Sequence, residues 1–107
     1  MFKKIERNDD IFKSELFIKD SIAFYVMVSI LNNAQKYPTP RVFSNGEDCA
    51  IVNSDPEHTI IVWTSDTFQE QEKLYDFIKK EFCNNTIFKI MAKKDFYEYF
   101  YFAHQLL

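Results

Sequence analysis

The chain has 107 residues, 47% hydrophobic and 27% charged, with a formal net charge of −3; this is the length of one domain, 1–107, with enough apolar material for a core and too little net charge for intrinsic disorder. Twelve Phe, six Tyr and one Trp mean that ring packing fills much of that core, while one glycine, Gly46, cannot build the phosphate- or cofactor-binding loops that need several close backbone approaches. The acidic balance argues against a surface for nucleic acid or anionic lipid.

In chain order, Met1 to Asp10 carry charges of both signs and no apolar stretch, so no secretory signal is expected and the cytoplasm is the expected compartment. A short helical segment is predicted over Asp10 to Ile18, capped by Asn8 or Asp9. A longer helix is predicted from Asp20 to Gln35, capped by Asp20 or Ser21, because Ala23, Met27, Ile30, Leu31 and Ala34 recur at helical spacing and Phe24 and Val28 widen the stripe. The uncharged run from Ser21 to Gln35 is shorter than the ~20 apolar residues a membrane span needs, so it reads as a buried helix.

Tyr37-Pro38-Thr39-Pro40 ends that helix, since proline removes a backbone donor and biases the preceding residue toward extended conformations. Three strands are predicted next: Arg41 to Ser44, Cys49 to Val52 and Thr59 to Thr64. Turn chemistry at Asn45-Gly46 and at Asn53-Ser54-Asp55-Pro56 makes them an antiparallel meander. Ile60-Ile61-Val62-Trp63 is apolar on both faces, as a central strand covered on both sides would be. A capping box of Asp66 with Gln69, or of Thr67 with Glu70, is predicted to open a helix whose stripe, Leu74, Phe77, Ile78 and Phe82, ends near Cys83 before Asn84-Asn85. Thr86 to Met91 reads as a fourth strand and Lys93 to Leu107 as a closing helix. The order α-α-β-β-β-α-β-α defines an α+β domain with a small, mostly antiparallel sheet of about four strands, in which the crossover from Trp63 to Thr86 suits the return of a parallel strand.

Chemistry-bearing residues are sparse. Cys49 and Cys83 lack CxxC spacing and read as reduced, buried thiols, a disulfide between them being the other reading. His58 near Asp55, Glu57, Glu47 and Asp48 falls on solvated hairpin tips without a ligand pattern for a metal. The pairs Lys3-Lys4, Lys79-Lys80 and Lys93-Lys94 alternate with aromatic residues, but no RNP-like run accompanies them, and Lys79 and Lys80 complement the end of a helix dipole. No catalytic, cofactor-binding or metal-ligating residue is therefore expected.

The closing helix is the unusual stretch: six of the seven residues from Phe96 to Phe102 are aromatic. Phe96, Tyr99, Phe100 and Ala103 form the stripe predicted to face the sheet, which leaves Tyr97, Tyr101 and Phe102 on other sides, with His104 sharing a face with Tyr97 and Tyr101. Tyr97, Tyr101, Phe102 and His104 are accordingly the candidate interface, for a second domain or a second copy of the chain. The alternative is a small ligand-binding module or enzyme, with a pocket between this helix and the sheet and Tyr97, Tyr101 and His104 as its polar groups.

Leu16-Phe17-Ile18-Lys19-Asp20-Ser21-Ile22 with its following helix, the proline break, the hairpin carrying Ala50-Ile51-Val52 and Ile60-Ile61-Val62, and Glu72-Lys73-Leu74-Tyr75-Asp76-Phe77 on a helix resemble the N-terminal region of two-domain GNAT-type acetyltransferases. The resemblance spans Glu15 to Phe102 and rests on element order and apolar spacing. In that family a Q/R-x-x-G-x-G/A loop of the catalytic domain holds the acetyl-CoA pyrophosphate; nothing in this chain matches it, so the resemblance implies a non-catalytic N-terminal module without cofactor residues, its partner surface near the closing helix.

Overall fold

Alternation along three short strands builds two cores at once. In the computed structural model, which describes residues 1–54, 59–82 and 89–105, β2 (Arg41–Ser44), β3 (Cys49–Asn53) and β4 (Thr59–Thr64) form an antiparallel meander. Successive side chains point to opposite faces. Val42, Ala50, Val52, Ile61 and Trp63 therefore pack on one side, and Phe43, Cys49, Ile51, Ile60 and Val62 on the other. The predicted central strand is found: β4 lies between two neighbours and is buried on both faces.

Helices close each face. Residues Ile11, Phe17, Met27, Ile30 and Leu31 cover the Trp63 side, from a 3-10 turn (Asp10–Lys13), α1 (Glu15–Asp20) and α2 (Tyr25–Asn32). The Val62 side is covered by Leu74, Tyr75 and Ile78 of α3 (Gln71–Phe82) and Phe96 and Phe100 of α4 (Lys94–Gln105). Between α3 and α4 the chain returns as β5 (Lys89–Ala92), parallel to β4. The result is α+β with a mixed, open sheet between two helical layers. One element more than expected is present: β1 (Lys3–Lys4) pairs with β2 and gives the order β1-β2-β3-β4-β5. Two adjacent lysines carry no strand pattern; pairing with Ser44 and Phe43, extended by Ile5 N–H donating to Val42 O, makes them one.

The β2–β3 turn shows why the sole glycine is where it is. Gly46 adopts φ 84°, a conformation costly for other residues. Asn45 organises the loop, its Oδ1 accepting from the amides of Glu47, Asp48 and Cys49 at 3.0, 3.1 and 3.1 Å. The buried Ser44 hydroxyl donates to Cys49 O and accepts from Gly46 N–H.

Two local expectations are corrected. The helix predicted from Asp20 to Gln35 is split: Asp20 ends α1, and α2 runs only from Tyr25 to Asn32. Neither proposed cap serves α2, because the Asp20 carboxylate is taken by Trp63 and Lys93 while the Ser21 hydroxyl donates back to Ile18 O and finishes α1. The caps in use upstream are Asp9, accepting from Ile11 N–H, and Ser14, accepting from Phe17 N–H. Arg7 closes α2 at its other end, donating to the carbonyls of Leu31 and Tyr37. The second correction concerns α3, which begins at Gln71 rather than behind a capping box at Asp66 or Thr67. Asp66 is occupied by two lysines, and Thr67 shares a hydrogen bond with Ser65.

Candidate functional site

The closing helix sorts its rings as its spacing dictates. Phe96 and Phe100 are buried, with Tyr99 and Ala103 packed beside them against the core. Tyr75 of α3 meets Tyr99 and Phe100 edge-on at 6.4 and 5.1 Å between centroids, a favoured arrangement for aromatic pairs. Ile90 and Ala92 of β5 complete the seam, which is thus filled by hydrocarbon and rings. The remaining aromatics stand outside it: Tyr97 is 49% exposed, Tyr101 59% and Phe102 66%. Tyr97 and Tyr101, one helical turn apart, stack with planes 8° from parallel and centroids 6.5 Å apart. Both rings lie on the surface rather than in the seam where the alternative reading placed a pocket. The backbone of His104 continues the helix, and its side chain lies outside the described part of the molecule.

A second constellation, not anticipated from the sequence, joins the carboxyl ends of β4 and β5 to the end of α1. Lys93 Nζ sits 2.7 Å from Asp20 Oδ2 and 2.8 Å from Asp66 Oδ1. Lys19 pairs with the other Asp66 oxygen at 2.6 Å, and the Trp63 indole N–H donates to Asp20 Oδ2 at 2.9 Å. Burial disfavours the charged form of Asp20, but hydrogen bonds from Lys93 and Trp63 outweigh it and hold its pKa below the ordinary carboxylate value. Hydrogen bonds from Lys19 and Lys93 bring Asp66 down to about 2, and the same pairing raises Lys19. Carboxyl ends of parallel strands are where open α/β sheets take ligands. Here two cations and two anions satisfy one another in that place, which makes the cluster a tie between layers rather than an acid–base pair.

Cys49, the free thiol, is fully buried, and burial pushes its pKa well above that of an ordinary cysteine, so it is no nucleophile. Cys83 and His58 lie outside the described residues, as do Asp55 and Glu57. Among the described residues no group of three side chains is gathered as a metal would require. Open clefts lie elsewhere: one of about 360 Å³ beside α2, lined in part by Arg7, Phe12 and Val28, and one of about 390 Å³ between the Asn45 turn and residues 67–70, bordered by Glu47, Asp48 and Glu70. Neither is lined by Tyr97, Tyr101 or Phe102. No helix among the described residues is long and apolar enough to cross a membrane.

No protein-family model matches the chain, and neither does any curated protein or solved structure.

Proposed function

We propose that this chain is a non-catalytic accessory or interaction domain of the cytoplasm, resembling the N-terminal module of a GNAT-type acetyltransferase and docking through the outer face of α4 on a second domain or a second copy. The observation that carries the reading is the division of α4. Its inner stripe already satisfies the core with Phe96 and Phe100, so the exposed Tyr97, Tyr101 and Phe102 add nothing to the fold that a polar residue would not. Large amphipathic rings on a rigid helix are the material of which interface anchors are made. The GNAT-like side of the reading is supported by element order, helix, helix, three strands, helix, strand, helix, behind the short β1. With its one glycine used in the β2–β3 turn, the chain has no Gly-rich loop for a pyrophosphate.

The test is Tyr101→Glu, examined by light scattering over a concentration series and by thermal melting. A charge costs little on a wet surface and much in a desolvated one. The expected result is an unchanged melt with association abolished. A variant that fails to fold, or a wild-type chain that stays monomeric at high concentration and gains no partner through α4, removes the reading.

A further inference from the structure

The two edges of the sheet are unlike. β1 is two residues long and both are lysines, so self-pairing centred on either sets lysine against lysine; short, charged edges are a standard defence against joining another sheet. β5 forms the other edge with Lys89-Ile90-Met91-Ala92, and no described strand pairs with its outer side. Its register sets Ile90 beside Ile60 and Met91 beside Ile61. Ile90 and Ala92 therefore pack on the α3–α4 side, while Met91 stands on the α1–α2 side and keeps 45% of its surface. From this asymmetry we infer that the outer edge of β5 pairs antiparallel with β5 of a second copy, about a two-fold axis normal to the sheet at Ile90.

Charge and face select both the occupant and the register. A two-fold normal to the sheet keeps the helical layers of the two copies aligned, so opposed residues must share a face, and a one-residue slip is forbidden. Of the axes that keep the middle of the strand paired, one at Met91 sets Lys89 opposite Lys93, like against like. An axis at Ile90 sets Ile90 opposite itself and Lys89 opposite Met91, where the lysine stem lies along the thioether with its ammonium in water. This inference names one of the two partners that the reading of α4 leaves open, a second copy, and it uses a surface distinct from Tyr101, so the two can fail separately.

The experiment is sedimentation equilibrium on the full chain, with circular dichroism to verify the fold of each variant. Met91→Lys places like charges opposite each other twice per dimer and is expected to weaken association about two- to thirtyfold, while Met91→Glu, opposite Lys89, strengthens it by a similar factor. Combining Met91→Lys with Lys89→Glu restores it. A wild-type chain that remains monomeric into the millimolar range overturns the pairing, as do Met91→Lys and Met91→Glu moving association in the same direction. If Tyr101→Glu abolishes association while all Met91 variants are silent, the edge is not the interface and the α4 face alone is.

Discussion

Trp63 Nε1 donates to Asp20 Oδ2 at 2.9 Å, so a fully buried indole on the central strand is hydrogen-bonded to the last residue of α1. The same oxygen lies 2.7 Å from Lys93, which leads from β5 into α4. One carboxylate thus ties the N-terminal helical layer, the sheet and the C-terminal crossover together. A hydrogen bond to a charged group contributes about 1.5–3 kcal/mol, and removing one partner strands the others. Asp20→Ala is therefore expected to destabilise the domain by about 2–4 kcal/mol in chemical denaturation, with a changed Trp63 emission reporting the loss of its acceptor. Native stability with unchanged emission would show that the bond carries no weight.

The acid limb of stability follows from Asp66. Its pKa in the folded chain, about 2, lies below the ordinary 3.8, so the unfolded state takes up its proton first as pH falls. The contribution is fully present above about pH 4 and is lost progressively between there and about pH 2. On the alkaline side Lys19, raised above 10.5, loses its contribution only as pH climbs past that value. Denaturation midpoints measured from pH 5 to pH 2 are expected to fall, and the fall is expected to be shallower in Asp66→Asn. Parallel curves for the two proteins would exclude the lysine pairs as its source.

How legible this was from sequence depended on whether local or distant partners decide each element. Arg41–Ser44 and Thr59–Thr64 were readable to the residue because β-branched runs and turn residues bound them on both sides, and the alternation within Ile60-Ile61-Val62-Trp63 gave the two-sided burial of β4. The inner stripe of α4 was equally readable, because an i, i+3, i+4 pattern is local. The break between α1 and α2 was not. Asp20 and Ser21 look like N-caps, and only the contact with Trp63, 43 residues away, shows that Asp20 is spent elsewhere. For the same reason the cluster at the strand ends was invisible: Lys19 and Asp66 are 47 residues apart, and Asp66 and Lys93 are 27. Whether Tyr97, Tyr101 and Phe102 are anchors or bystanders depends on another surface, which a single chain does not encode locally.

Cys49 offers a chemical probe of the inner face. Its thiol is fully buried between β3 and the α3–α4 layer, where desolvation, reinforced by the nearby Asp48, suppresses the thiolate. Since the thiolate is the reacting species, alkylation of the Cys49 peptide, followed by mass spectrometry, is expected to be negligible in the native protein and complete in denaturant. Modification in the native state at the rate of an exposed thiol would mean that the layer opens locally.

The neighbouring residues Phe100 and Phe102 separate folding from surface within one helix. Phe100 lies against the core and touches Tyr75 and Phe96, at 5.1 and 6.1 Å between ring centroids, whereas Phe102, two residues on, is 66% exposed. Cutting a buried ring to a methyl group removes its transfer free energy and leaves a cavity, so Phe100→Ala is expected to cost roughly 3–5 kcal/mol. Phe102→Ala removes a ring that water already reaches and is expected to change monomer stability by no more than about 0.5 kcal/mol. Denaturant titrations at low protein concentration, where any association is absent, make the comparison clean. Equal losses in the two variants would put Phe102 inside the core and withdraw it from the candidate surface. Repeating the titrations at high concentration then isolates association: a stability that rises with wild-type concentration but not with that of Phe102→Ala locates the contact on the outer face of α4.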